Sequence, residues 1–152
     1  NKRIVLDAGA LSCFKNKLGV FVKILSGKDV IITPHEGELK SILPNLTGNL
    51  ISKALKAAKI LNTIVVLKGA TTVIASPNNK AFVNIAGAKW LATAGSGDVL
   101  AGIIGGLLSN KMETFYAAAY GVWMHSEAGK YLGPGLIAED IPKILPKIIK
   151  KI

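Results

Sequence analysis

Residues 92–102 read Ala92-Thr93-Ala94-Gly95-Ser96-Gly97-Asp98-Val99-Leu100-Ala101-Gly102. A loop of small residues opens there into an apolar helical run, with one carboxylate at the junction. Two glycines allow the backbone N–H groups of Gly95, Ser96 and Gly97 to point into one concavity. The first turn of the helix adds more unpaired N–H groups and the positive end of the helix dipole. Such a site wants an anion, most simply a phosphate. Asp98 reads as the N-cap of a helix running to about Ser109. Beside a phosphate it reads equally as a general base, taking a proton from a hydroxyl that attacks phosphorus. No Lys-Ser/Thr pair follows the glycines, so this is not a Walker loop. Leu100 stands where the dinucleotide fingerprint needs its third glycine.

Upstream of this loop lies a hairpin, Thr72–Ala75 and Ala81–Ile85 around Pro77-Asn78-Asn79. Before it comes Ile64–Leu67, uniformly apolar as a covered parallel strand should be, ending in Lys68-Gly69-Ala70-Thr71-Thr72. Residues 50–61 are amphipathic, with Leu50, Ala54, Leu55, Ala58 and Leu61 on one face and Lys53, Lys56 and Lys59 away from it. A second strand, Asp29–Thr33, ends in Thr33-Pro34-His35-Glu36-Gly37-Glu38, which opens a helix to about Ile42. Val20–Leu25 fits a helix or a strand equally. A first strand, Arg3–Leu6, reads as buried and ends at Asp7.

Downstream, a helix is expected from Thr114 to Tyr131, broken by Gly133-Pro134-Gly135. Asp140 should cap the last helix, with Pro142 in its first turn and Pro146 as a kink. Ile141, Ile144, Leu145, Ile148, Ile149 and Ile152 form its apolar stripe, and Lys143, Lys147, Lys150 and Lys151 lie elsewhere. Gly102 and Gly106 should let the central helix lie close to a sheet. Strands alternating with helices, plus one hairpin, indicate an α/β layered domain. Asp7, His35, Lys68 and the glycine loop all fall at strand ends, where open α/β sheets bind ligands.

The 152 residues suit one domain with a sizeable core. Half of them are apolar and only 18% are charged, which excludes a disordered chain. The longest apolar run, Val99–Leu108, is too short to span a bilayer. No signal peptide pattern opens the sequence. Cys13 is the single cysteine, so no internal disulfide can form, which fits a reducing cytosol. It reads as a small buried or half-buried apolar residue. The net charge of +10 comes almost wholly from scattered lysines with few aromatics among them. That pattern argues against nucleic acid and for solvated faces, with a field that attracts phosphorylated small molecules.

Taken together, Val5-Leu6-Asp7-Ala8-Gly9-Ala10-Leu11, Thr33-Pro34-His35-Glu36-Gly37-Glu38, Val66-Leu67-Lys68-Gly69-Ala70-Thr71-Thr72 and the segment 92–102 closely resemble the nucleotide-dependent NAD(P)H-hydrate dehydratase family. The Thr-Pro-His-x-Gly-Glu segment is the motif most specific to those dehydratases. The resemblance implies a ribokinase-like three-layer α/β/α fold with a mainly parallel sheet. It implies repair of hydrated NADH and NADPH: a nucleotide, ADP or ATP with Mg²⁺, phosphorylates the ring hydroxyl, and loss of phosphate restores the double bond. A cytoplasmic enzyme is expected.

By the same resemblance, Asp98 takes the hydroxyl proton and holds the substrate. The N–H groups of Gly95, Ser96 and Gly97 form an anion hole. Lys68, Gly69, Ala70, Thr71, Thr72 and Gly97 meet the nucleotide, and His35 meets the hydrated dinucleotide. No metal ligands are assigned. Read from the residues alone, His35 is also a polar turn residue, Lys68 a solvated strand end, and Asp7 a structural carboxylate. Glu36 and Glu38 suit the positive end of a helix. His125 reads as a packed or partly exposed histidine, and Trp90 as core filler, loop anchor or nucleotide border. The family usually has a second acid where Gly9 stands, often asparagine at Ser12, glycine at Ala94 and proline at Glu36. The chain is also well short of a complete domain of that family, so residues 1–152 are expected to be a partial domain, the rest preceding Asn1. Its sheet would carry an open edge for a companion segment or a second copy. A small-molecule kinase and a non-catalytic nucleotide-binding remnant are the competing functional readings.

Overall fold

A computed structural model describes residues 2–85 and 87–150. Strands β1 (Arg3–Leu6), β2 (Asp29–Ile32) and β3 (Ile64–Leu67) are parallel; β4 (Thr72–Ala75) and β5 (Ala81–Asn84) add an antiparallel hairpin. Strand order follows the sequence, β1-β2-β3-β4-β5, in one five-stranded sheet. The register pairs Val5 with Ile31, Ile31 with Ile64, and Val66 with Ile74.

Alternation along each strand sorts the apolar side chains to two faces. Val30, Ile32, Val65 and Leu67 face helices α1 (Gly9–Ser12), α2 (Leu18–Leu25), α3 (Glu36–Ile42) and α4 (Leu50–Leu61), through Leu11, Phe21, Leu39 and Ala58 among others. Ile31, Ile64, Val66 and Ile74 face α5 (Ser96–Ser109) and α6 (Thr114–Leu132), through Leu100, Ile104, Phe115 and Val122. These are the expected three layers, with both sheet faces covered. A smaller cluster packs α7 (Ile141–Ile149) onto α5 and α6 through Ile141, Ile144, Ile148, Ile103 and Met124.

Residues 20–25, undecided by periodicity, belong to helix α2: Phe21 and Leu25 turn inward and Val20 and Ile24 outward. Several expectations are corrected. Helix α5 starts at Ser96, with Gly95 as its N-cap, so Asp98 lies within the first turn. Asp140 makes no capping bond; a short 3-10 turn, Ala138–Asp140, runs straight into α7, and the Asp140 carboxylate accepts from Lys143 Nζ at 3.0 Å. The α7 helix continues through Pro146, and Ile149 is exposed. Ile152 and Lys151 lie outside the described residues. Cys13 is exposed, because α1 is a single turn that buries only Leu11. Gly102 and Gly106 face open space rather than the sheet. The close helix approach is made instead by Gly121 of α6, where a Cβ would stand 2.6 Å from Ile104 Cγ1.

Candidate active site

The carboxyl ends of the three parallel strands are laced together. The Thr33 N–H donates to the Leu6 carbonyl at 3.1 Å, and the Lys68 N–H donates to the Pro34 carbonyl at 2.8 Å. His35 and Lys68 form an isolated parallel bridge beyond the ends of β2 and β3. Asp7, His35 and Lys68 therefore follow consecutive strands along one edge of the layer. The Lys68 ammonium closes the row, donating to Asp7 Oδ1 at 2.7 Å. Both side chains are largely buried.

The first turn of α5 lies against this pair. A Cβ on Gly97 would stand 3.4 Å from Lys68 Nζ and 3.7 Å from Asp7 Oδ2. Gly95 turns the chain into the helix with a φ of 80°, a conformation that a side chain resists. The Ser96 N–H is used inside the turn, donating to the Thr93 carbonyl at 3.3 Å. The N–H groups of Gly95, Gly97 and Asp98 have no hydrogen-bond partner among the described residues. They carry the positive end of a helix fourteen residues long. The Asp98 side chain is exposed and makes no hydrogen bond or ion pair among the described residues.

The Lys68–Thr72 turn sits beside that helix end. The Thr72 hydroxyl donates to the Gly69 carbonyl at 3.3 Å, and a Cβ on Gly87 would lie 2.6 Å from the Ala70 carbonyl oxygen. The chain after β5 is thus pressed onto the turn. Ala70 is exposed and Thr71 and Thr72 are half-buried. Trp90 lies farther along, in a 3-10 turn, half-exposed under Lys89 Nζ at 4.5 Å from its ring centroid.

His35 has a structural duty as well as an exposed edge. Its Nδ1 accepts from the Gly37 N–H at 3.0 Å and the Glu38 N–H at 3.2 Å, and Glu38 Oε2 accepts from the His35 N–H at 2.8 Å. This is a reciprocal capping box. Nε2 lies 3.7 Å from Glu38 Oε2, and the His35 side chain is 61% exposed, so the ring keeps a solvent-facing edge beside that carboxylate. Glu36 accepts from Lys53 Nζ at 3.0 Å. Both glutamates therefore serve the helix end and its flank.

One participant is more deeply built in than the sequence indicates. His125 of α6 is buried, with Nε2 at 3.0 Å from both the Ser96 hydroxyl and the Ser96 carbonyl. Burial lowers its pKa to about 4; the Ser96 bond opposes this and the Lys68 charge adds to it. The ring is neutral at pH 7. The available signal was its spacing, four residues after Gly121 and three after Val122, which puts it on the buried face of α6.

Among the described residues no three His, Cys, Asp or Glu side chains gather into a metal site. The Asp7 carboxylate is already paired with Lys68. These residues do not build a cage for Mg²⁺, and a nucleotide's own phosphates are the natural carrier of that ion. No helix among the described residues is long and apolar enough to cross a membrane. Two cavities lie away from Asp98. One, of about 480 Å³, is lined by Glu36, Leu39, Lys40, Leu43 and Lys53. The other, of about 550 Å³, lies beside β1 and α5 and is lined by Arg3, Val5, Gly105, Leu108 and Lys111.

Known proteins resemble this chain in sequence and fold. The sequence profile of the NAD(P)H-hydrate dehydratase family matches residues 1–150. An ADP-dependent (S)-NAD(P)H-hydrate dehydratase of Neisseria meningitidis is 36% identical over 151 residues, covering 93% of this chain and 51% of the relative. A bifunctional NAD(P)H-hydrate repair enzyme of Dictyoglomus turgidum is 37% identical, covering 100% of this chain and 30% of the relative. The ADP/ATP-dependent NAD(P)H-hydrate dehydratase of Bacillus subtilis, co-crystallised with ATP/Mg²⁺ and soaked with CoA, superposes with a TM-score of 0.84 at 31% identity, covering 98% of this chain and 56% of that one. A hydroxyethylthiazole kinase from Pyrococcus horikoshii superposes with a TM-score of 0.67 at 23% identity, a likeness of fold alone. The chain spans about half the length of the first of these relatives. With its ribokinase-like layers and its glycine-bend helix end, this chain belongs to the NAD(P)H-hydrate dehydratase family.

Proposed function

We propose that this chain carries the phosphoryl-transfer half of a nucleotide-dependent dehydratase that repairs hydrated NADH and NADPH. The observation that supports it most is the α5 amino end. Free N–H groups and an unpaired exposed carboxylate stand there on successive residues, and Gly97 among them packs against the Asp7-paired Lys68.

Asp98 accepts the proton of the ring hydroxyl as that oxygen attacks the terminal phosphorus of the nucleotide. The bond from phosphorus to the nucleotide's bridging oxygen breaks, and the shortened nucleotide leaves. The Gly95, Gly97 and Asp98 amides stabilise charge on the transferred oxygens, as preorganised donors do in a water-poor site. Ser96 takes part through its position in the bend, since its own N–H is engaged with Thr93. In the second step the ring carbon–oxygen bond breaks, its electron pair leaves with phosphate, and the adjacent carbon loses a proton. The Lys68–Thr72 turn holds the nucleotide phosphates and ribose, and the exposed His35 Nε2 edge meets the dinucleotide. Mg²⁺, when bound with the nucleotide, would neutralise phosphate charge.

A companion segment completes the domain in this reading. Strand β1 is an edge strand with a cavity beside it, and Gly102 and Gly106 of α5 face open space. A further strand and helix supplied in the same polypeptide, by a separate chain, or by a second copy would cover that side. A cytoplasmic setting suits the substrates and the single cysteine.

The test is turnover of hydrated NADH with ADP or ATP and Mg²⁺ by the complete catalytic domain. Asp98→Ala should lower the rate by at least about a hundredfold, the low end of general-base effects. Undiminished turnover in that variant removes Asp98 from the mechanism.

A further inference from the structure

We infer that His125 is a positioning residue for phosphoryl transfer: from α6 it grips the Ser96 carbonyl and hydroxyl and fixes the first turn of α5. The Ser96 carbonyl oxygen only accepts hydrogen bonds, and His125 Nε2 lies 3.0 Å from it. The proton therefore sits on Nε2, and the Ser96 hydroxyl oxygen, also at 3.0 Å, shares that donor. Ser96 and His125 are both buried, so the contact is shielded from water. Ser96 is flanked by Gly95 and Gly97. Glycines give the bend its shape and also make it the most deformable part of the helix end. A side chain from a neighbouring helix, holding the residue between them, is the restraint such a bend needs.

The geometry reaches the reacting groups through one residue. Gly97, next to the anchored Ser96, packs against Lys68 and Asp7, and Asp98 follows it. A shift of Ser96 would move the Gly97 and Asp98 amides and the Asp98 carboxylate together. Preorganised donors lose much of their effect when misplaced by about an ångström. His125 touches no substrate in this account. Its neutral state adds no second cation to a region where the Lys68 charge already disfavours the protonated ring.

The inference rests on the α5 amino end being the phosphoryl site, but not on which alcohol is phosphorylated. Its test uses the complete catalytic domain, labelled with ¹⁵N and titrated with ADP, watching the Gly97 and Asp98 amide signals. His125→Phe removes the donor, His125→Gln returns an amide N–H at the reach of Nε2, and His125→Asn returns one only at the reach of Nδ1. The expected result is at least about tenfold weaker ADP binding for His125→Phe and His125→Asn, and near-native affinity for His125→Gln. Should His125→Phe not fold, the Gln and Asn variants carry the same contrast. Equal weakening by Gln and Asn, or native affinity in a folded His125→Phe, overturns the inference. If the unsubstituted complete domain shows no ADP-dependent shift at Gly97 and Asp98, the functional reading fails. The brace is then decided by the imidazole ¹⁵N spectrum at pH 7. A neutral Nε2–H ring supports it, and an Nδ1–H ring overturns it.

Discussion

Lys68 Nζ stands 2.7 Å from Asp7 Oδ1, although 61 positions separate the two residues in the chain. The pair ties the end of β3 to the end of β1, directly beneath the first turn of α5. Removing one partner leaves a largely buried charge alone. Asp7→Asn or Lys68→Ala should each destabilise the fold by about 1–3 kcal/mol, and a double-mutant cycle in urea should show strong coupling. Additive losses would mean that the pair is only a surface contact.

Gly97→Ala should separate binding from stability. Its new methyl would stand 3.4 Å from Lys68 Nζ and 3.7 Å from Asp7 Oδ2, which is close contact without collision. Alanine is also a better helix former than glycine by up to about 1 kcal/mol. The melting temperature should hold or rise. Nucleotide affinity should fall, because the methyl occupies the ground where phosphate oxygens must sit. Calorimetric titration beside a thermal melt checks both.

The buried imidazole predicts a pH dependence with a definite sign. The pKa of His125 is lowered from 6.5 to about 4 in the fold. Above pH 7 the ring is neutral in both states and contributes no slope. As pH falls below 6.5 the unfolded chain takes up a proton that the folded chain refuses. Stability should therefore drop by about 1.4 kcal/mol per pH unit from this group, until the ring protonates in the fold near pH 4. Urea midpoints at pH 7 and pH 5 measure it, and His125→Gln should flatten the difference.

Gly121→Ala should act on packing alone. Its Cβ would stand 2.6 Å from Ile104 Cγ1, so α5 and α6 must part. A loss of about 1–3 kcal/mol is expected from overpacking of this kind. Chemical denaturation gives the figure, and a neutral result would mean that the helix pair can slide.

Much of this architecture is written locally. The uniformly apolar Ile64–Leu67, the Pro77-Asn78-Asn79 turn and the amphipathic residues 50–61 each announce their element within a few residues. The candidate site was legible as a set of strand-end residues, because an α/β layer fold gathers those ends on one edge. What was not legible depends on distant partners. Nothing near Asp7 in sequence foretells Lys68, and nothing near Ser96 foretells His125. Cap identity failed where backbone geometry outranked residue type. Gly95 in a left-handed conformation took the N-cap that Asp98 suggested, and a 3-10 turn displaced the capping role of Asp140. The exposed glycines of α5 read as packing residues because the sequence does not say which neighbour covers them.

Product accounting tests the central claim most directly. The complete catalytic domain is incubated with hydrated NADH, nucleotide and Mg²⁺, and reduced nicotinamide, orthophosphate and phosphorylated organic products are followed together. The account predicts one orthophosphate released for each NADH restored, with no phosphorylated alcohol accumulating. A stable phosphorylated product without restored NADH would contradict it and make the chain part of a kinase.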